Sequence, residues 1–376
     1  MSENTLHKGS QIKMRQSGIE LYKIIAILLI VLSHCTQTLE KFVDFQAPTT
    51  DIQLLILKLL RFSGAMGNII FVVCSSWFLL DSKGVKKNKA INLALDSQTI
   101  SIGILAVFSI ISLIFSFNVN FSIGFFLNHI FPDLFEKVWF VPCYIVFYLI
   151  HGYLNTVIKS LTAREHFGIC IFIVFFYCIL GVIGISPVFS QLLSFVMIYF
   201  IVGYIKRHLS IITTKKKAFL IGFISLFFVF VGAVIIKNFL ALKISYFEKF
   251  PKIDNNMLSI FLFPMLLCLF FVFLNIDLKS RFVNYLSSCS LFVYCIHENA
   301  LVRESLRPKI YELLIAKFGD DKLLLYDLVF WIVLAILSFI AAALYKTVIH
   351  KFTSKLSLKL ENFIIKCVDS VYDKIK

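Results

Sequence analysis

Residues 19–39 constrain the fold of this chain more than any other stretch. They read IELYKIIAILLIVLSHCTQTL and are apolar over about twenty positions, the length that a helix needs to cross the hydrocarbon core of a bilayer. Glu20, Lys23 and His34 nevertheless lie within this stretch. An ionisable side chain at membrane depth is costly unless it has a partner or faces water. Each of the three is therefore a candidate functional residue.

These polar residues share one face of the predicted helix. At about 100° per residue, the positions from Lys23 to His34 complete three turns plus about 20°, and Glu20 lies about 40° to the other side. Along the helix axis, Lys23 and His34 are roughly 16 Å apart. The stretch predicts a membrane helix with a polar stripe. A histidine that only packs against a neighbouring helix is the alternative for His34.

The composition indicates a polytopic membrane protein. Of the 376 residues, 59% are hydrophobic, which exceeds the share in ordinary soluble domains. The net charge of +15 comes from lysines and arginines in short segments between apolar stretches, where such residues set membrane orientation. Membrane topology therefore explains the charge better than nucleic-acid binding. The nine cysteines include no C-x-x-C pair, and no His/Cys spacing predicts a metal site.

The apolar segments predict an all-α fold: a polytopic transmembrane helical bundle of about ten spans with both termini in the cytoplasm. The predicted spans are approximately residues 19–39, 54–80, 97–117, 138–158, 167–185, 188–205, 219–240, 258–275, 282–302 and 323–348. Residues 1–18 are predicted to be a cytoplasmic tail, and residues 19–350 the ten-helix domain. Residues 351–376 are predicted to form a basic, amphipathic cytoplasmic tail that suits anionic lipid.

The predicted span 282–302 is the second one with a polar face. Ser290, Tyr294 and His297 are spaced i, i+4 and i+7, so they share one side of a helix. Counted from the cytoplasmic end of its own span, His297 lies at nearly the same depth as His34 does in the first span. The two histidines are therefore predicted to lie at one level, in the outer half of the membrane. The alternative for His297 is an interfacial residue at the end of the span.

Arg61 and Trp139 have simple membrane roles as alternatives to a functional one. Arg61 lies near the outer end of the second span, where a long cationic side chain snorkels to the interface or points inward. Trp139 opens the fourth span, where aromatic residues serve as interface anchors.

Four stretches together resemble the acyltransferase-3 family of membrane-bound acyltransferases. Glu20, Lys23 and His34 are similar to the family's first-helix pattern of an acidic residue, an arginine, ten residues and a histidine. IIFVVCSSWFLL, VWFVPCYIVFYLI and SLFVYCIHENAL resemble, in order, its apolar run into Ser-Gly-aromatic, its Trp-Phe-Leu helix and its Tyr-x-x-His helix. Two positions depart from the pattern, because Lys23 replaces the usual arginine and Ser76 the usual glycine. Lysine keeps the charge but loses the bidentate fork that suits phosphate.

The resemblance implies an O-acetyltransferase of the bacterial plasma membrane that needs no metal. Acetyl-CoA is the expected donor, and the expected acceptor is a hydroxyl of a surface glycan or a lipid-linked glycan. Lys23 is expected to attract the CoA phosphates, with Glu20 holding it in place. His34 is expected to act as general base or to carry the acyl group. The residues expected to line the substrate site are Arg61, Ser75, Trp139, Tyr294 and His297.

Three other functions are compatible with parts of the sequence. A transporter or flippase for a polysaccharide precursor also fits ten spans, a basic inner face and polar residues at depth. A polysaccharide polymerase usually has a long extracytoplasmic loop, and the loops 117–137 and 303–322 are short for one. A structural or sensory module leaves the spacing of Lys23 and His34 unexplained. The acceptor sugar and the acyl group stay open.

Overall fold

The computed structural model describes residues 16–45, 47–115, 124, 127, 138–183, 190–209, 214–253 and 256–375. Of the residues in these ranges, 82% are helical and none lies in a strand, so the all-α prediction is confirmed. The helices are α1 (Ser17–Leu39), α2 (Ile52–Leu60), α3 (Ser63–Leu79), α4 (Lys87–Phe115), α5 (Phe140–Ser160), α6 (Ala163–Ile173), α7 (Gln191–His208), α8 (Lys216–Ala241), α9 (Tyr246–Lys249), α10 (Leu262–Leu274), α11 (Arg281–Ser288), α12 (Ser290–His297), α13 (Arg307–Phe318), α14 (Leu323–Val348) and α15 (His350–Ile375). Two π-helical stretches also occur: Val174–Ile179 extends α6 and is followed by three α-helical residues, Leu180–Val182, and Val302–Leu306 precedes α13.

Seven helical segments among the described residues are long and apolar enough to cross a membrane. They are Ser17–Leu39, Ile52–Leu79, Lys87–Ser112, Phe140–Ser160, Ala163–Val182, Lys216–Ala241 and Leu323–Val348. The other three predicted spans correspond to α7, to the short apolar helix α10, and to the pair α11 and α12. The count of ten spans and the cytoplasmic placement of both termini stay predictions.

Two predicted spans are each built from two helices. The second span begins with α2, whose first turn is capped by the Asp51 carboxylate accepting from the Gln53 backbone N–H, and it breaks at Arg61 and Phe62 before α3. The ninth span breaks at Cys289, where α11 ends and α12 begins. The sequence analysis did not predict these breaks, which fall in the short stretches LRFSG (residues 60–64) and SSCS (residues 287–290).

Helix α1 lies at the centre of the bundle. It packs against α3, α10, α11, α12, α13 and α14, and most of its side chains are buried. Gly64 and Gly67 allow α3 to approach it closely: a Cβ at Gly67 would lie 2.5 Å from the Ala26 carbonyl oxygen, and one at Gly64 would lie 2.6 Å from Ser33 Oγ. Small residues permit such close helix contacts in membrane bundles. The glycines therefore fix α1 against α3 over its whole middle section.

The two ends of the bundle are named here after the two ends of α1. The inner end is the end at Ser17, where the Ser17 backbone N–H donates to the Leu278 carbonyl oxygen at 3.1 Å. The outer end is the end at Leu39. The predicted N-terminal tail up to residue 15, nearly all of the loop 117–137 and the turn at residues 186–187 lie outside the described residues.

Candidate functional site

At the inner end, Lys23 is held by a buried carboxylate. Glu20 is only 5% exposed, and Lys23 Nζ lies 3.4 Å from each of its carboxylate oxygens. Ser287 on α11 donates to Glu20 Oε2 at 2.5 Å, so the carboxylate links two helices. The Lys23 ammonium also lies 5.4 Å from the centre of the Phe78 ring. Glu20 therefore pairs with Lys23, as the sequence analysis expects, and sets its position on α1.

A cavity of about 430 Å³ opens beside this ion pair. Its lining includes the polar residues Lys23 on α1 and Lys89, Asn92 and Asp96 on α4, and the aromatic Phe140 on α5. The remaining lining residues are Ile30, Phe71, Ser75, Leu93, Tyr144, Ser287, Ser288, Ser290, Leu291, Phe292, Tyr294 and His350. Ser290 Oγ is buried and finds no hydrogen-bond partner among the described residues. The cavity could hold an elongated ligand with an anionic group at one end.

The outer end of this cavity lies below the two histidines. On α1, Ile30 lines the cavity, and His34 is the next residue outward on the same face, one turn further. On α12, Tyr294 lines the cavity and His297 follows three residues later, with 5.8 Å between the two ring centres. A ligand that extends from Lys23 through the cavity would therefore end near His34.

His34 and His297 are in direct contact, at the common level that the sequence predicts. His297 is fully buried, and its Nδ1 lies 2.7 Å from the Val293 carbonyl oxygen, so Nδ1 donates there and Nε2 is the acceptor. His34 Nδ1 lies 3.0 Å from His297 Nε2 and 2.8 Å from Glu298 Oε2, so it is the donor to both. In neutral His34 this leaves Nε2 unprotonated, and Nε2 makes no hydrogen bond to any described residue.

Glu298 is the anchor of this outer cluster. Its Oε1 accepts from Arg303 at 3.0 Å, and its Oε2 accepts from Arg307 at 3.1 Å as well as from His34. Arg307 is 1% exposed, and Glu298 is also buried. A buried carboxylate persists only where charged and hydrogen-bonding partners compensate its desolvation. The two guanidinium groups therefore fix the carboxylate, and the carboxylate fixes the His34 ring.

The same three side chains are of types that bind transition metals. One ligand atom each from His34, His297 and Glu298 lies within 4.8 Å of the others. Both oxygens of Glu298, however, already accept from guanidinium groups, and a divalent ion at this position would lie close to the positive charge of Arg307. The arrangement therefore suits a proton-transfer network better than a metal centre.

The other predicted site residues fall into two groups. Ser75 and Tyr294 line the large cavity, where Ser75 is hydrogen-bonded to Tyr144. Trp139 is separated from the cavity by Phe140, its ring lying 5.7 Å from that of Phe140.

Arg61 lies at the outer end, away from the large cavity. Its Nε is paired with the Glu40 carboxylate, and its backbone oxygen accepts from Ser33 Oγ at 2.9 Å. The side chain lines a separate cavity of about 140 Å³, together with Lys58 and Lys237. The structure thus brings Glu20, Lys23, Ser75 and Tyr294 to one cavity with the histidine pair above it, and it leaves Arg61 and Trp139 outside.

Sequence reasoning missed Glu298, Arg303 and Arg307. Glu298 directly follows His297 but lies off the i, i+4, i+7 face, and the two arginines were assigned to an outer loop. Helical spacing gave no signal here, because five and nine positions place Arg303 and Arg307 about 140° and about 180° away from Glu298 on a regular α-helix.

Comparison with known proteins identifies one family. The model of the acyltransferase-3 family, described as an acyltransferase domain, matches residues 16–347, nearly the whole chain. Neither the curated proteins nor the solved structures give a match. The matched range includes the ion pair at the inner end, the cavity and the histidine pair.

Proposed function

Because the chain belongs to the acyltransferase-3 family and is thus a multi-pass membrane acyltransferase, we propose that it transfers an acetyl group from acetyl-CoA to a glycan hydroxyl. The acceptor is a cell-surface glycan, an exopolysaccharide or its lipid-linked precursor, and the membrane is the bacterial plasma membrane. One observation carries the proposal: the cavity is lined along α1 from Lys23 to Ile30, one turn short of His34. Its two ends match the two ends of an acyl-CoA.

Lys23 is proposed to bind the phosphates of the donor. Its ammonium borders the cavity, and its distance of 3.4 Å to the Glu20 oxygens exceeds the 2.7–2.9 Å typical of strong charged hydrogen bonds. Lys89 and His350 also line the cavity and add further nitrogen groups. The extended pantetheine arm would then follow the cavity outward and bring the thioester to the histidine level.

His34 is proposed to perform the transfer through Nε2. As a general base, Nε2 takes the proton of the acceptor hydroxyl while the hydroxyl oxygen bonds to the acyl carbon. The carbon–sulfur bond then breaks, and the imidazolium returns the proton to the leaving thiolate. Glu298 stabilises the positive charge on the ring through Nδ1, at 2.8 Å. Alternatively, Nε2 attacks the thioester first and carries the acyl group to the acceptor.

The acceptor is proposed to approach from the outer end. Arg61, Lys58 and Lys237 line the outer cavity, and the Ser33 hydroxyl that contacts the Arg61 backbone belongs to the neighbour of His34. In this role Arg61 contacts the acceptor or the developing oxyanion. Full acetylation by an Arg61→Gln protein would remove Arg61 from the mechanism and leave the role of His34 intact.

The test uses cells that carry the wild-type chain, His34→Ala, His208→Ala or no chain. We expect alkali-released acetate from purified surface polysaccharide with the wild type and with His208→Ala. His208 serves as the matched control because its ring packs against Tyr204 and His166, remote from the cavity. We expect no acetate above background with His34→Ala at equal membrane expression.

Two results would contradict the proposal. Acetate at the wild-type level in His34→Ala would remove the histidine from the reaction. Equal acetate in all four strains, with a change in the amount of polysaccharide at the surface, would favour a transporter or flippase of the precursor instead.

A further inference from the structure

The C-terminal helix α15 is fixed to the bundle at its first turn. The carboxylate of Asp96, buried on α4, accepts from Thr353 Oγ1 at 2.6 Å, from Tyr345 at 2.7 Å and from His350 Nδ1 at 3.0 Å. Tyr345 belongs to α14, so three helices meet at this carboxylate. Since α14 is one of the membrane-span candidates and ends at Val348, α15 begins where the chain leaves the bilayer.

One face of α15 packs against α4. Thr353 and Ser357 are buried, and Ile364 and Val368 lie two and three turns further along the same side, where they face Ile91 across a small cavity. At 100° per residue these positions lie within about 60° of each other. The first part of this face, at Thr353 and Ser357, is therefore occupied by the protein itself, whereas Ile364 and Val368 are 47% and 60% exposed.

Two further faces of α15 are not buried by any of the residues that the structure describes. An apolar stripe is made by Phe352, Leu356, Phe363 and Cys367, with Phe352 72% exposed and Phe363 64% exposed. A lysine row is made by Lys351, Lys355, Lys359 and Lys366, all exposed. On a helical wheel the centres of the two faces are about 90° apart. This is the pattern of a helix that lies in a membrane interface.

We propose that α15 lies on the inner leaflet of the membrane, with the apolar stripe in the acyl-chain boundary and the lysine row among anionic headgroups. Two observations favour lipid over another partner. The helix starts at the membrane surface, because it follows α14 directly, and its lysine row is complementary to the negative charge of an anionic leaflet. The Asp96 contacts hold the first turn of α15 beside the cavity that His350 lines. The proposal does not depend on the proposed acyl transfer.

The chain carries a probe at the required position. Cys367 lies on the apolar stripe and is exposed, whereas the other eight cysteines are buried or half-buried. The full-length protein is placed in phosphatidylcholine nanodiscs with and without phosphatidylglycerol, and a nitroxide label is attached to Cys367. Collision of the label with oxygen reports lipid, and collision with a water-soluble nickel chelate reports water. The Cys367→Ser protein gives the labelling background.

The matched variant carries the label on the polar side, as Asn362→Cys in the Cys367→Ser background. In discs containing phosphatidylglycerol we expect a severalfold higher ratio of oxygen to nickel collision at position 367 than at position 362. Replacing Lys351, Lys355, Lys359 and Lys366 by Gln should remove the dependence on phosphatidylglycerol and leave the helix in place.

Equal nickel access at positions 362 and 367 would overturn the proposal, because the apolar stripe would then face water. Strong coupling between two nitroxides at position 367 would also overturn it, because the stripe would then cover a second copy of the chain. Both results are readable without any transferase assay.

Discussion

The two halves of α1 hold their charged residues in different ways. At the inner end, Lys23 lies 3.4 Å from each oxygen of Glu20 and borders an open cavity. At the outer end, His34 lies 2.8 Å from Glu298, and two guanidinium groups hold that carboxylate in turn. Charged hydrogen bonds are strongest near 2.7–2.9 Å, so the inner pair is loose and the outer one tight. The inner end suits an exchange of partners with a ligand, and the outer end suits one fixed ring orientation.

The largest effect on activity is expected from a substitution that weakens the contact between Glu298 and His34 at the outer end. Replacing Glu298 by Gln removes the charge that stabilises an imidazolium at His34 but keeps the size of the side chain. We expect kcat to fall on the order of 100-fold, the lower part of the range for a general base, because His34 itself remains. The Michaelis constant for acetyl-CoA should stay the same. Initial rates in washed membranes, with acetyl-CoA varied and the native glycan as acceptor, measure both constants.

Glu304→Gln is the matched control for this variant. Glu304 is a neighbouring carboxylate that also pairs with Arg303, but its side chain is 53% exposed. Its removal should leave kcat within about twofold of wild type, as for most exposed ion pairs. Equal losses in both variants would mean that the outer cluster acts only through general stability.

A smaller effect, of the opposite kinetic type, is expected at the inner end. Lys23→Gln should raise the Michaelis constant for acetyl-CoA on the order of tenfold, the value of one hydrogen bond to a charged group, with little change in kcat. Lys23→Arg should lower it below wild type, because the guanidinium fork binds phosphate at two points. Lys83→Gln, which removes an exposed lysine outside the cavity, is the control. A fall in kcat with an unchanged Michaelis constant would contradict this prediction, because Lys23 would then act in the chemical step and not in donor binding.

The smallest effect, on stability, is expected at the middle of α1, where its two halves meet and Gly67 packs against it. Gly67→Ala would put a Cβ 2.5 Å from the Ala26 carbonyl oxygen and from Ile30 Cγ1, so α1 and α3 must separate slightly. We expect a loss of about 1 kcal/mol of stability, roughly fivefold in the folding equilibrium. Gly103→Ala on α4 has no atom within 4 Å of the new Cβ and should not lower the thermal midpoint. A thermal midpoint of Gly67→Ala equal to wild type in detergent would show that the contact between α1 and α3 is not tight.

The sequence predicted the parts of the site that depend on one helix at a time. The polar stripe of α1 and the shared face of Tyr294 and His297 follow from helical period alone. The common level of the two histidines followed from their depth in two spans that both run outward from the cytoplasmic side, and the 3.0 Å contact between them confirms it. These features could be predicted because they depend only on helical geometry and membrane thickness, which apply to any membrane helix.

The missed parts depend on how helices meet. Glu298 lies at the end of α12, and Arg307 reaches it from the start of α13, across the π-helical stretch Val302–Leu306. Arg61 was a candidate for the same site as Ser75, but the break after α2 directs it to the outer cavity. Such turns are set by tertiary packing, which no periodicity in a single sequence specifies.

The central claim is that the inner end of α1 binds the donor and the outer end transfers the acyl group. Its most direct test is a pair of measurements on the His34→Ala protein. The purified protein in lipid nanodiscs is incubated with acetyl-CoA carrying a labelled acetyl group, and bound donor and label transferred to the native glycan fraction are counted separately. The account predicts donor binding equal to wild type and no transfer above background. Transfer at the wild-type rate, or loss of donor binding in a folded His34→Ala protein, would contradict it.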